Sequence, residues 1–131
     1  MNIKKVEFKV IPHSEHRYET VGDYWFDESG TLQVRVSEMS DNRYELLVFL
    51  HEMIEVIQTE HRGITEKQIM DFDLEFELER VDGKWTQDDE PGWDPRAPYG
   101  MEHAYAESME RNMAIQLGVD WRTYDLEVKN L

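Results

Sequence analysis

Residues 45–58, ELLVFLHEMIEVIQ, constrain this chain more than any other stretch. Between Leu46 and Ile57 every residue is apolar except His51, Glu52 and Glu55. A helix that is apolar around most of its circumference belongs in a core. At about 100° per residue, His51 and Glu55 lie one turn apart and Glu52 about 100° from His51, so the three polar groups share one sector. An unpaired carboxylate buried there costs on the order of several kcal/mol, so it shifts its pKa or finds a partner. Hydrogen bonds between His51 and Glu55, with Glu52 reaching water at the edge, would satisfy the sector. So would a divalent cation.

A second pair strengthens the cation. His103 and Glu107 repeat the four-residue spacing, and Glu110 falls on the same helical face. Two helices each offering His and Glu can close four ligands around one ion: His51, Glu55, His103 and Glu107. The chain has no cysteine, which excludes disulfides and thiolate sites. Imidazole with carboxylate suits zinc, iron or manganese better than calcium. Zinc or another divalent metal is therefore the expected cofactor. Histidines 13 and 16 beside Pro12 read as inert loop residues. The acids 88, 89, 90 and 94 read as a solvated loop, since they lack the spacing of a calcium-binding EF-hand.

The rest of the pattern places these helices in an α+β domain spanning residues 1–131. Val6, Phe8 and Val10 alternate with polar residues as a strand. Tyr24-Trp25-Phe26 and Leu32-Val34-Val36 form a hairpin around Asp27–Gly30. The expected sheet is small, N-terminal and antiparallel, packed on two or three helices. The helix from about residue 42 to 61 has Asn42 and Glu45 at capping-box spacing and Gly63 as its stop. It is expected to be the most buried element. Residues 66–81 carry two signals. Thr65 and Gln68 have capping-box spacing, whereas Phe72, Leu74, Phe76 and Leu78 alternate with acids like a strand. The cap and the Glu and Leu content favour a helix. Residues 82–100 form a long loop that could wall a cleft, and a third long helix runs from about Met101 to Leu117. Met101, Met109 and Met113 read as core fillers. The tail from Val119 is short and mixed.

The 14 Lys and Arg against 29 Asp and Glu give a net charge of −15. That argues against direct contact with nucleic-acid phosphates and against anionic membranes. No apolar stretch approaches the roughly 20 residues of a membrane span. The start, MNIKKVEFKV, lacks an apolar signal core, so the cytoplasm is the expected compartment. A peptide or a basic protein is the expected kind of partner.

His51-Glu52-Met53-Ile54-Glu55 is similar to the His-Glu-x-x-His helix of zincin metallopeptidases. Carried over by position, His51 matches the first zinc ligand and Glu52 the general base. Glu55 stands where the second histidine would be. Glu107, with His103 beside it, looks like the Glu that gluzincins contribute from a later helix. The resemblance implies a metal-dependent hydrolase acting on a peptide or amide bond, with Glu52 catalytic. More of the chain resembles small proteins of bacterial and phage type. The matching residues include His61-Arg62-Gly63-Ile64, Asp89-Glu90-Pro91-Gly92 and Leu117-Gly118-Val119-Asp120-Trp121. That likeness implies a shared domain and brings no activity.

Two other readings stay open. Glu52-x-x-Glu55 with Glu79 and Asp82 has the spacing of a magnesium-dependent nucleotide pyrophosphohydrolase, but those enzymes are all-helical. A non-catalytic acidic protein, with residues 71, 73, 75, 77 and 79 forming one negative face if that segment is a strand, would capture a basic partner.

Overall fold

The computed structural model describes residues 1–131 and is α+β. Three strands, β1 (Val6–Ile11), β2 (Gly22–Phe26) and β3 (Leu32–Ser37), are followed by four helices. These are α1 (Asn42–Arg62), α2 (Glu66–Val81), α3 (Gly100–Gln116) and α4 (Trp121–Lys129). No helix is long and apolar enough to cross a membrane.

The sheet order is β1-β3-β2. β2 and β3 pair antiparallel as the hairpin pattern predicts, with Tyr24 opposite Val34. β1 instead runs parallel to β3, with Phe8 opposite Val34, so the sheet is mixed rather than antiparallel throughout. Alternation marks a strand and its buried face, but both strand directions bury the same residues, so it does not specify direction.

Central position explains which element is most buried. Leu32, Val34 and Val36 of β3 are inaccessible to solvent and meet Leu47, Val48 and Val56 of α1. Ala114, Val119 and Tyr124 complete this core. It is β3, with neighbours on both edges and helices on one face, that is most enclosed. α1 keeps an outer side on which Leu46 and Ile57 are exposed.

Residues 66–81 are helical. Thr65 and Gln68 exchange both bonds of a capping box. Phe72 and Phe76, one turn apart, are buried against Tyr99, whereas Leu74 and Leu78 are exposed. The strand-like alternation was thus half surface. Its acids do not form one negative face. Asp71 pairs with Lys67, Glu77 with Arg80, and Glu79 with Arg96 and Lys84. The tail also corrects its reading: it forms α4, capped by Asp120, whose carboxylate accepts from the Thr123 amide.

The 82–99 segment is stapled down. Trp85 stacks on Phe76 with ring centroids 4.9 Å apart, and Arg96 bridges Asp94 and Glu79. These contacts fix a loop rich in proline and glycine against α2 and beside α3.

Burial separates two leucines in a test of these elements. Leu47→Ala should lower unfolding free energy by about 2–5 kcal/mol, and Leu78→Ala by less than about 0.5 kcal/mol. Urea titration followed by circular dichroism measures both. Equal effects would contradict the packing described.

Candidate metal centre

α1 and α3 pack side by side with their polar sectors facing. The cross-pairs His51–Glu110, Glu55–His103 and Arg62–Glu102 run in opposite order along the two helices, so the pair is antiparallel. The 2.7 Å contact between Arg62 and the buried Glu102 ties the end of α1 to the start of α3.

Three donor atoms meet between them. His51 Nε2 lies 3.2 Å from Glu55 Oε2 and 3.2 Å from His103 Nδ1, and His103 Nδ1 lies 3.3 Å from Glu55 Oε2. A tetrahedral ligand set about 2.0–2.1 Å from a transition-metal ion has edges of about 3.3–3.4 Å. The three atoms make one face of such a tetrahedron, and the group could hold a metal ion.

The remaining ring nitrogens point the same way. His51 Nδ1 lies 2.7 Å from Glu110 Oε1, and His103 Nε2 lies 3.3 Å from Glu90 Oε2. If each of these nitrogens donates to its carboxylate, both inner nitrogens present lone pairs to the centre, the arrangement that orients metal-binding histidines. The Tyr124 hydroxyl donates to the other oxygen of Glu110. Protons alone serve the triangle poorly. Each inner nitrogen carries at most one hydrogen, so at most two of the three short contacts hold a proton.

Two glycines permit close approach here. A Cβ on Gly92 would lie 2.4 Å from the His103 ring, and one on Gly22 would lie 2.6 Å from Glu52 Oε1. Gly92 lies in the turn that begins beside Glu90, so the loop backbone rests directly on the His103 ring.

The expected four-ligand set is therefore corrected by one member. His51, Glu55 and His103 come together, but Glu107 is not among them. Its carboxylate faces Arg111 at 3.5 Å, and the α3 carboxylate that reaches His51 is Glu110. Glu102, Ala106 and Glu110 are the buried positions of α3. Glu107 lies along one side of that face. Glu52 lines the same cleft of about 470 Å³ as the three ligands. Glu79 and Asp82 do not join it: Glu79 is held by Arg96 at 2.6 Å, and Asp82 caps α2. The loop histidines share the buried Ser37 hydroxyl, at 2.8 Å from His13 and 2.9 Å from His16.

The electrostatics follow from this crowding. Burial pushes His51 down, but hydrogen bonds to Glu110 and Glu55 outweigh it and hold the imidazole well above its usual range. His103 rises to about 9, because its bonds to Glu55 and Glu90 overcome burial. Burial pushes Glu55 up, yet the two histidines hold it below the ordinary carboxylate range. Glu52 is pushed up to about 8, by burial first and then by Glu55.

Glu90, Asp73, Tyr99 and Tyr124 were not singled out as site residues in sequence. Glu90 looked like one more loop acid, and only the fold brings it to His103. Tyr99 donates to Asp73, which burial raises to about 7. Comparison with protein-family models, curated proteins and solved structures finds no match.

Asp73 supplies a pH test. Its folded pKa lies above its unfolded value, so the folded state binds the extra proton and stability is lost as pH rises from about 4 to about 7. Asp73→Asn, which still accepts from Tyr99, should match wild type near pH 4. Above pH 7 it should be more stable, by on the order of 2–4 kcal/mol. Denaturation midpoints across this range measure the difference; a constant offset would contradict the assignment.

Proposed function

We propose that this protein is a metal-dependent hydrolase of peptide or amide bonds, with zinc held by His51, Glu55 and His103. The observation that carries the reading is the triangle of 3.2, 3.2 and 3.3 Å on the wall of the cleft. Two imidazoles and one carboxylate leave a divalent ion with net positive charge, as a Lewis acid requires. The likeness of residues 51–55 to the zincin helix supports the same reading.

A bound divalent cation polarises a carbonyl and lowers the pKa of water toward neutrality. The chain's own residues supply the rest. Glu110 and Glu90 orient the two imidazoles. Glu52 neighbours His51 in sequence but points about 100° around the helix, so it is placed to exchange a proton within the cleft without serving as a ligand; a cation held by its neighbours would offset the burial and the Glu55 charge that raise its pKa, and so favour the ionised form that accepts a proton. Gly22 leaves the space Glu52 occupies. The loop before α3 forms one wall through Glu90, Pro91 and Gly92.

The cleft wall bears on the substrate. Its carboxylates, including Glu19, Glu66, Glu77 and Asp89, far outnumber the cations Arg17, Arg80 and Lys129. A basic peptide suits that field. The same wall favours a second reading, a non-catalytic acidic module that captures a basic protein.

Metal analysis of protein purified without an affinity tag, followed by assays on basic peptides, tests the proposal. Wild type should hold about one equivalent of metal and, at zinc near 100 times its Kd, gain about 2.7 kcal/mol of stability. His103→Ala should lose both effects and Glu107→Gln should keep both. Glu52→Gln should retain metal but lose about 100-fold or more in turnover. If wild type holds no metal and cleaves nothing, while Glu52→Gln changes only stability, Glu52 is structural and the hydrolase reading falls.

A further inference from the structure

The cleft beside the metal centre is acidic, but its carboxylates are not equally available. Those of the centre itself meet His51 or His103. Asp23, Glu77, Glu107 and Asp125 pair with arginine or lysine, and Glu19 pairs with His13. Glu66 and Asp89 accept the backbone amides of Phe26 and Thr86. Two carboxyl groups of the cleft wall are left with neither a cation nor an amide, Glu52 and Asp73. Glu52 stands beside His51. Asp73 stands apart from it on α2, and its only hydrogen bond comes to Oδ1 from the neutral Tyr99 hydroxyl. Its other oxygen, Oδ2, has no partner within the chain.

The surroundings of Asp73 suit one kind of group. Ile69 and Met70, one turn earlier on α2, line the same cleft. Tyr18 lines it from the loop between β1 and β2, near enough that charge on Asp73 acts on its phenol. The Tyr99 ring lies edge-on to His103 with centroids 6.3 Å apart, so Asp73 sits one tyrosine side chain beyond that histidine. Burial raises Asp73 to about 7. The Tyr99 bond opposes this, the charges of Glu55 and Glu77 add to it, and His103 offsets part of it. A carboxyl that is costly to ionise alone among apolar and aromatic walls is relieved by a cation that arrives with its own charge. A metal ion would need further donors, and the group of three that converges in this chain is His51, Glu55 and His103.

We infer that Asp73 is a specificity residue, the group that receives the charged end of a lysine or arginine side chain from a peptide lying in the cleft. Ile69 and Met70 take the methylene stem, and Tyr18 and Tyr99 supply aromatic surface to the cation. The stem of lysine is four carbons long, so its charge can sit at Asp73 while the peptide backbone stays nearer His103. The general negative field of the cleft draws basic peptides in, and Asp73 fixes which side chain is read. This subsite names the substrate of the proposed hydrolase, and it rests on that reading only for what then happens to the peptide. Binding itself needs neither metal nor turnover.

Titration calorimetry on the full chain without added metal tests it, using N-acetyl-Ala-Lys-Ala-amide and the same peptide with uncharged norleucine in place of lysine. Near pH 8 the lysine peptide should bind about 10-fold or more tighter than the norleucine peptide. Near pH 6, where Asp73 is mostly protonated, binding of the lysine peptide should release about one proton, read from the heats in two buffers of different ionisation enthalpy. Asp73→Asn still accepts from Tyr99 and should lose both the preference and the proton release. Asp71→Asn removes an equal charge from the exposed side of the same helix, and should keep the preference within about two-fold. A preference that survives Asp73→Asn, or that Asp71→Asn removes as fully, would overturn the proposal. So would a lysine peptide that fails to bind at about 1 mM. Selective binding by a protein that holds no metal and cleaves nothing would instead remove the hydrolase reading and support this one.

Discussion

Two imidazole nitrogens and a carboxylate oxygen held 3.2–3.3 Å apart form the contact on which the middle of this molecule depends. The contact spans α1 and α3, so it sets how these helices face each other. It also explains why polar side chains are tolerated on a core helix. Each inner nitrogen has an outer partner, Glu110 or Glu90, and Glu110 has Tyr124 behind it. Every element after the sheet adds something to the centre. α1 and α3 carry the three residues that could hold a cation, the stapled loop carries Glu90 and Gly92, and α4 carries Tyr124. α2 supplies Asp73 to the same cleft and anchors the loop. A cation would complete this network, whereas protons leave one of its three inner contacts unserved.

Much of the framework was legible because local chemistry and tertiary burial agree there. The end of α1 follows from Gly63; its start is capped by Asp41, whose carboxylate accepts from the Arg43 amide, rather than by a box between Asn42 and Glu45. The hairpin follows from its turn and its alternation. His51, Glu55 and His103 could be named because helical spacing alone puts them on one sector and repeats the pair. Glu107 was misplaced for the same reason. Spacing gives a helical face about one turn wide, and both Glu107 and Glu110 lie within reach of it. The rotation of α3 against α1, which buries Glu102, Ala106 and Glu110 together, chooses Glu110.

Other features depend on contacts that no local pattern encodes. The direction of β1 is invisible to a period of two. Glu90 acquires its partner only because Arg80, Arg96 and Trp85 fasten the loop to α2. The methionines of α3 share the composition of core residues, and their exposure comes from having no further layer over the α1–α3 pair. These are matters of three-dimensional neighbourhood, where propensity and pattern have little to say.

His51, Glu55 and His103 are placed so that together they could hold a single cation. The most direct measurement is anomalous diffraction at the zinc absorption edge from crystals grown with stoichiometric zinc. One strong peak is expected about 2.0–2.1 Å from His51 Nε2, His103 Nδ1 and Glu55, with Glu110 and Glu90 still on the outer nitrogens. No peak at that point, or a peak held by other side chains while the histidines stay bonded to each other, would contradict it.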